Sequence, residues 1–303
     1  MKKVIITAAL ILAAAMILSS CSLYFGENIN MEVYADENKY SIGNFEYDAE
    51  NIKTVDIEWI FGDITIVPGA KSGKLSVKED ADGVDEDLKM RCRVDGDTLR
   101  VKFCKSGFRS KMTPGAEKNV TVEIPDGVSL VVDAVSSDVL IGNGGATPFS
   151  FLKTFTFSKI DINTVSGKIA IEINSVLGKH AFYCENVKLS TVSGSITTEG
   201  FVNDNVLKTE DDGEMKFSLI ANTVSGDVSV AGSFNEYDIS TVSGNVHFGA
   251  YYGDLTFDTV SGKLKTSQPH ATDGNKHTFD FENIRIYNDA KISTVSGNLT
   301  IGD

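Results

Sequence analysis

The chain has 303 residues, 42% of them hydrophobic and 9% aromatic, enough for one or two domains with real cores. It carries 28 Lys+Arg against 42 Asp+Glu, a net charge of −14, which speaks against nucleic acid as a partner and against lying flat on an anionic bilayer. Four cysteines without a CxxC pair argue against a zinc or thioredoxin-like site.

Residues 1–20 stand apart. Lys2 and Lys3 precede an uncharged run that starts at Val4 and ends in Leu18-Ser19-Ser20-Cys21. A basic start, a short apolar stretch and small residues before a cut site make a secretory signal peptide. The run is shorter than the roughly 20 residues a transmembrane helix needs. Its ending resembles a bacterial lipobox. That resemblance implies cleavage before Cys21, a diacylglycerol on the Cys21 sulfur, and export to the extracytoplasmic side of the bacterial cell membrane, with the lipid as anchor. Two acyl chains hold where one binds only marginally. The leader takes two lysines and no acid with it, leaving 26 basic against 42 acidic residues, a net −16. Residues 21–47 read as a tether, with Tyr40 to Tyr47 a candidate for order.

Residues 48–130 read as a β-rich N-terminal region leading into the repeats of residues 131–303. "TVDIEWIFGDITIVPG" (54–69) alternates apolar residues on either side of Gly62-Asp63, the pattern of strand, turn, strand. Cys92 and Cys104 flank a hairpin signal at Asp95-Gly96-Asp97. The simplest register sets Cys92 opposite a residue near Arg100 and leaves Cys104 beyond disulfide reach. "EDADGVDEDL" (79–88) fails the EF-hand template, since glycine falls fourth when counted from Asp80, and it reads as a solvated turn.

Residues 131–303 are dominated by one tetrad. Thr-Val-Ser-Gly begins at Thr164, Thr191, Thr223, Thr241, Thr259 and Thr294, and "AVSS" (134–137) aligns with it, Ser137 replacing glycine. Apolar residues alternate before each tetrad and after it, but the parity switches: Ile160 and Ile162 share a face, then Ile169, Ile171 and Ile173. A straight strand cannot bury both sets, so each tetrad is a corner between two strands. Gly62, Gly167, Gly194, Gly226, Gly244, Gly262 and Gly297 are the expected corner glycines, supplying positive φ, with the tetrad valine as the inward plug. Successive tetrads lie 27, 32, 18, 18 and 35 residues apart. Recurrence at a short period marks a solenoid of stacked rungs. The 18-residue spacing would set Ile239 over Phe257, Val242 over Val260 and Val246 over Leu264. The 35-residue gap reads as a rung that has lost its signature. "GKHAFYCEN" (178–186), "DNVLKTEDDGEMK" (204–216) and "SQPHATDGNKHTFDFEN" (267–283) are insertions that would form one variable surface.

The early "GDITI" turn, "VTVEIPDGVSL" (120–130) and the serial tetrads together resemble a bacterial domain-of-unknown-function family known by the label "putative adhesin". The resemblance covers most of residues 48–303. It implies a right-handed β-solenoid and an envelope location, and it brings no catalytic residues.

Independent signs of chemistry are sparse. The tetrad serines are six equivalent residues, whereas an active site needs one special one, and no G-x-S-x-G elbow exists. His270 and His277 fall in a loop, and His180 and His247 are isolated, so all four read as surface or loop residues rather than metal ligands. Asp161, Asp238 and Asp227 flank tetrads but give way to lysine or asparagine in other repeats. The rings in "FSFLKTFTF" (149–157) and "GAYYGDLTF" (249–257) read as core. The expected function is therefore a non-enzymatic, lipid-anchored envelope protein, an adhesin, scaffold or envelope-sensing module. It would present loops to a protein or glycan ligand, without cofactor or metal. The alternative is a cell-surface glycan lyase or hydrolase on a β-helix, which would need clustered carboxylates.

Overall fold

The computed structural model describes residues 29–30, 33–69, 73–80, 83–110, 118–142, 155–172, 182–201, 217–232, 234–249, 251, 253–268, 270–279 and 288–302. Cys21, His180, the 204–216 insertion and parts of the 178–186, 267–283, 149–157 and 79–88 stretches lie outside them. Among the described residues no helix is long and apolar enough to cross a membrane.

Two parallel sheets meet at a line of corners. The first sheet runs Thr98–Lys102, Thr54–Phe61, Val128–Ser136, Phe155–Thr164, Asn186–Thr191, Ser218–Thr223, Glu236–Thr241, Asp289–Thr294 and Gly253–Thr259. The second runs Asn119–Ile124, Ile64–Pro68, Val139–Ile141, Ile169–Ile171, Ile196–Phe201, Val228–Gly232, Val246–Phe248, Leu299–Ile301 and Leu264–Thr266. From Thr54–Phe61 onward each first-sheet strand turns a corner into its second-sheet counterpart, whereas residues 103–118 separate Thr98–Lys102 from Asn119–Ile124; the resulting rungs stack as a β-solenoid. Inward residues alternate as the sequence suggests: Ile160, Ile162, Ile169 and Ile171 are all fully buried. Connections leave from the ends of second-sheet strands and return at the starts of first-sheet strands, so they attach along the edge opposite the corners.

The stacking order departs from chain order at both ends. The Thr54–Pro68 rung, first in the chain, lies between the rung of 98–124 and that of 128–141. The Asp289–Ile301 rung, last in the chain, slides between those of 236–248 and 253–266. Ile239 therefore stacks on Ile292, which stacks on Phe257, and Val246 reaches Leu264 only through Leu299. This corrects the direct stacking expected from the 18-residue spacing. Part of the 35-residue gap is an antiparallel hairpin, Ala271–Asp273 with Lys276–Phe279, that closes over Gly253–Thr256; it is not a rung without its signature. At the other end Arg91–Asp95 and Lys74–Asp80 pair antiparallel with the outermost parallel strands, and Ser41–Ile42 and Phe45–Asp48 pair with those. Both ends thus carry antiparallel strands on otherwise extendable sheet edges.

The corner works differently from the expected bend in two respects. First, threonine points inward: Thr164, Thr223 and Thr241 are at most 1% exposed, while the other tetrad valines are half-buried and Val260 is 58% exposed. Thr164 simply continues the parity of Ile160 and Ile162. Its buried hydroxyl donates to the Val135 and Ser137 carbonyls of the rung beneath, and in later tetrads the hydroxyl is bonded on both sides. Thr223 Oγ1 accepts from its own rung's Gly226 N–H at 3.0 Å and donates to the Gly194 carbonyl of the rung beneath at 3.2 Å. The Thr191 hydroxyl does the same with Gly194 and Gly167. Second, none of the six tetrad glycines has a positive φ, although Gly62 does, at 88°. They are glycines because a Cβ on any of them would lie well under 3.0 Å from the neighbouring rung's backbone carbonyl. The requirement is close approach between rungs. We expect Thr223→Val, which keeps the shape but strands a buried N–H and a buried carbonyl, to cost about 2–3 kcal/mol in urea unfolding. Thr223→Ser should recover most of that loss.

Candidate functional site

Along the corner edge the serine hydroxyls form an exposed column. Each tetrad serine donates to the carbonyl of the corner valine one rung away, at 3.3 to 3.5 Å. The six sites are alike, and among the described residues no histidine is hydrogen-bonded to any of them. A second column follows the glycines. Asp227 Oδ1 accepts from the Asn245 N–H at 2.7 Å, Asn245 Oδ1 from Asn298 at 3.1 Å, and Asn298 Oδ1 from Lys263 at 3.1 Å. Asp227 is therefore a backbone acceptor in a side-chain ladder. The corner edge is architecture.

The outer face of the first sheet carries charge. Asp56 pairs with Arg100 at 2.8 Å and Glu58 with Lys102. Asp161 meets Lys159 at 2.9 Å and Lys188 at 3.6 Å, and Asp133 accepts from Asn163 at 3.1 Å. Glu58 and Asp133 occupy partnered positions on adjacent strands, about 4.8 Å apart. Burial raises the carboxyls of Asp56 and Asp133 above the ordinary range, and Glu58 and Asp161 push Asp133 the same way. A carboxyl that binds its proton more tightly folded than unfolded adds stability at low pH and loses it as pH rises through the folded pKa. Asp133→Asn is therefore expected to raise the urea midpoint at pH 7, with the gain shrinking by pH 4.

Further along the same face a shallow groove of about 630 Å³ crosses the later rungs. Ile220, Asp238, Thr256, Asp289 and Lys291 line it, and Ile220 is one of few large apolar side chains left exposed among the described residues, at 38%.

The described part of the loop-side edge is lined by buried aromatic rings. Phe157, Phe234, Phe248, Tyr251 and Phe279 are at most 2% exposed, and Tyr251 packs edge-on to Phe248 and Phe279 at 5.5 and 5.9 Å. Cys92, Cys104 and Cys184 are free buried thiols, with Cys92 opposite Val101 across its hairpin. Burial pushes Cys104 and Cys184 up to about 12 and raises Cys92 too, which disfavours the thiolate form at neutral pH. Among the described residues no cluster of three or more His, Cys, Asp or Glu is poised for a metal.

One polar cluster had no sequence signal. At the corner of the 98–124 rung, which lacks the tetrad, Lys118 is buried against Glu79 at 3.1 Å, their side chains 3% and 5% exposed. Its ammonium also donates to the Leu88 carbonyl at 2.7 Å and to the Phe103 carbonyl, and lies 4.7 and 4.1 Å from the Trp59 and Phe103 ring centroids. Glu79 in turn accepts from the Met90 N–H.

The model of the family described as Toastrack DUF4097 matches residues 52–302, nearly the whole stack. The chain belongs to this family. No curated protein matches this Toastrack chain. Several solved structures are similar to it in part. A "putative adhesin" from Bacteroides fragilis NCTC 9343 is 14% identical, with 86% of this chain and 96% of that one covered at a TM-score of 0.44. A second, from Parabacteroides distasonis ATCC 8503, is 10% identical over 89% and 100% of the two chains, TM-score 0.39. A "putative cell adhesion protein" from Clostridium sporogenes ATCC 15579 is 10% identical over 87% and 99%, TM-score 0.32.

Proposed function

We propose that this Toastrack protein is a non-enzymatic envelope protein of the adhesin or scaffold type, held to the membrane by lipid on Cys21. Its rigid stack would display the inter-rung connections and the groove around Ile220 to a protein or glycan partner. One observation carries the reading: the residues repeated most often, threonine, serine and glycine, are engaged in holding rung to rung, so the variable surface lies elsewhere. Long solenoid faces suit extended ligands.

The carboxylates on the first sheet are the one feature favouring a glycan-active enzyme, since Glu58 and Asp133 sit one rung apart. The four carboxylates of the earlier strands each have a partner, however: Lys102 for Glu58, Asn163 for Asp133, Arg100 for Asp56 and two lysines for Asp161. Lys102 and Asn163 flank the Glu58–Asp133 pair on the strands to either side and offset part of its like-charge repulsion.

The test uses the mature chain beside variants with residues 204–216 replaced by a Gly-Ser linker or with Ile220→Glu. Retention of an envelope component by the wild type, lost in a variant that melts normally, is the expected result. Polysaccharide cleavage abolished by Asp133→Asn would replace this reading with the enzymatic one. Cys21→Ala should abolish fatty-acid labelling; undiminished labelling would remove the anchor from the proposal.

A further inference from the structure

The hairpin that closes the far end of the first sheet brings two histidines together. Its strands, Ala271–Asp273 and Lys276–Phe279, are joined through Gly274, whose φ is 63°, and Thr272 stands opposite His277. His270 immediately precedes the first strand. Its ring stacks on Phe279 at 5.0 Å and 21°, and Phe279 is only 2% exposed, so the imidazole rests on a fixed floor. The His270 and His277 ring centroids are 5.5 Å apart.

The hydrogen bonds around the rings orient them. His270 Nδ1 lies 3.1 Å from the Gln268 carbonyl, which can only accept, so Nδ1 carries the proton and Nε2 keeps its lone pair. His277 Nδ1 lies 3.2 Å from the Thr272 hydroxyl, which leaves Nε2 as the ligating nitrogen on that ring too. Oxygen partners on the far nitrogen are what orient imidazoles in metal sites.

We propose that His270 and His277 form a two-imidazole site for a borderline divalent ion of the zinc class. Two imidazoles bound through nitrogen at about 2.0–2.1 Å, with a near-tetrahedral angle at the metal, have ring centroids about 5 Å apart. The observed separation is close to that without any movement of the backbone. The remaining coordination positions face solvent, because His270 is exposed and His277 only partly covered. They would be filled by water or by one donor from a bound partner. The site is thus open, and although it lies on one of the connections assigned to partner display, its metal binding can be tested apart from that reading.

The experiment uses the mature chain without a histidine tag. Titration with Zn²⁺ by calorimetry should show one saturable site. His270→Ala and His277→Ala should each weaken it by about tenfold or more, and His247→Ala and His180→Ala should leave it unchanged. With Cu²⁺ in place of Zn²⁺, electron paramagnetic resonance should report two nitrogen ligands in the wild type and one in either variant. Because both rings lie on a partly solvated hairpin outside the stack, the metal-free variants should melt with the wild type. A melting shift in one of them leaves the spectrum of the wild type and the other variant to decide. Zinc affinity unchanged by either substitution, no saturable binding, or a single nitrogen ligand in the wild type would each overturn the site.

Discussion

Gly226→Val should be among the most damaging single substitutions in the stack. Gly226 sits mid-column, where a Cβ would overlap the Gly194 carbonyl and crowd the Ser195 N–H. Backbone on the facing side cannot rotate away as a side chain would, so relief requires the two rungs to separate. Separation breaks the corner bonds from Ser225 N–H to the Val192 carbonyl and from Thr223 to Gly194. The expected loss is at or above the upper end of the about 1–3 kcal/mol usual for overpacking. Gly226→Ala should be nearly as harmful, because the clash begins at Cβ. Gly249→Ala is the control: nothing lies within 4 Å of a Cβ there, and a change within about 0.5 kcal/mol is expected. Gly226→Asn separates the two accounts of the corner. Asparagine tolerates left-handed backbone, so a requirement for positive φ would make it milder than alanine. A requirement for close approach makes it at least as severe. Urea melts of the four variants decide, and a mild Gly226→Ala would mean the rungs can part at little cost.

That choice between explanations also marks what the sequence could and could not convey. Period-two alternation located the strands, and the parity switch between Ile162 and Ile169 located the corners. The same count places Thr164 inside, on the face of Ile160 and Ile162. Expecting an apolar plug obscured it, because a buried hydroxyl is acceptable only when it is hydrogen-bonded, and the partners of Thr164, the Val135 and Ser137 carbonyls, lie on another rung. Stacking order was beyond reach for another reason. Alternation records which way a side chain points and nothing about which strand lies alongside, so the insertion of Asp289–Ile301 between two earlier rungs left no trace in local pattern. The His270–His277 approach did leave one: Asp273-Gly274 between short alternating runs is a hairpin signal, and closing it sets residue 272 against residue 277. The carboxylates on the first sheet became readable as pairs only once register set Asp56 beside Arg100 and Glu58 beside Lys102.

Three corners of the stack are built without the tetrad, and the one at Lys118 yields the other large expected effect. In the rung of 98–124 the chain reaches the corner at Lys118, on whose backbone Gly62 packs and whose carbonyl accepts the Trp59 indole N–H at 2.9 Å. No threonine hydroxyl is available there. The Lys118 ammonium, Glu79 and the Leu88 and Phe103 carbonyls join four chain segments around that corner instead. Taking these charges out of water is costly, and burial accordingly lowers the Lys118 pKa from its ordinary value, while Glu79 acts against that shift. Removing one partner leaves the other buried and unpaired, so Lys118→Met is expected to cost about 3–5 kcal/mol. Lys118→Met combined with Glu79→Leu should recover much of that loss, since an apolar pair of similar volume is often no worse than a buried ion pair. Lys53→Met, at an exposed lysine paired with Asp97 at 3.7 Å, should change little. If urea melts place Lys118→Met beside Lys53→Met, the ion pair is not what fixes the first corner. If the double variant is no better than the single, the lysine acts through its carbonyl and ring contacts, and Glu79 serves mainly to hold Met90.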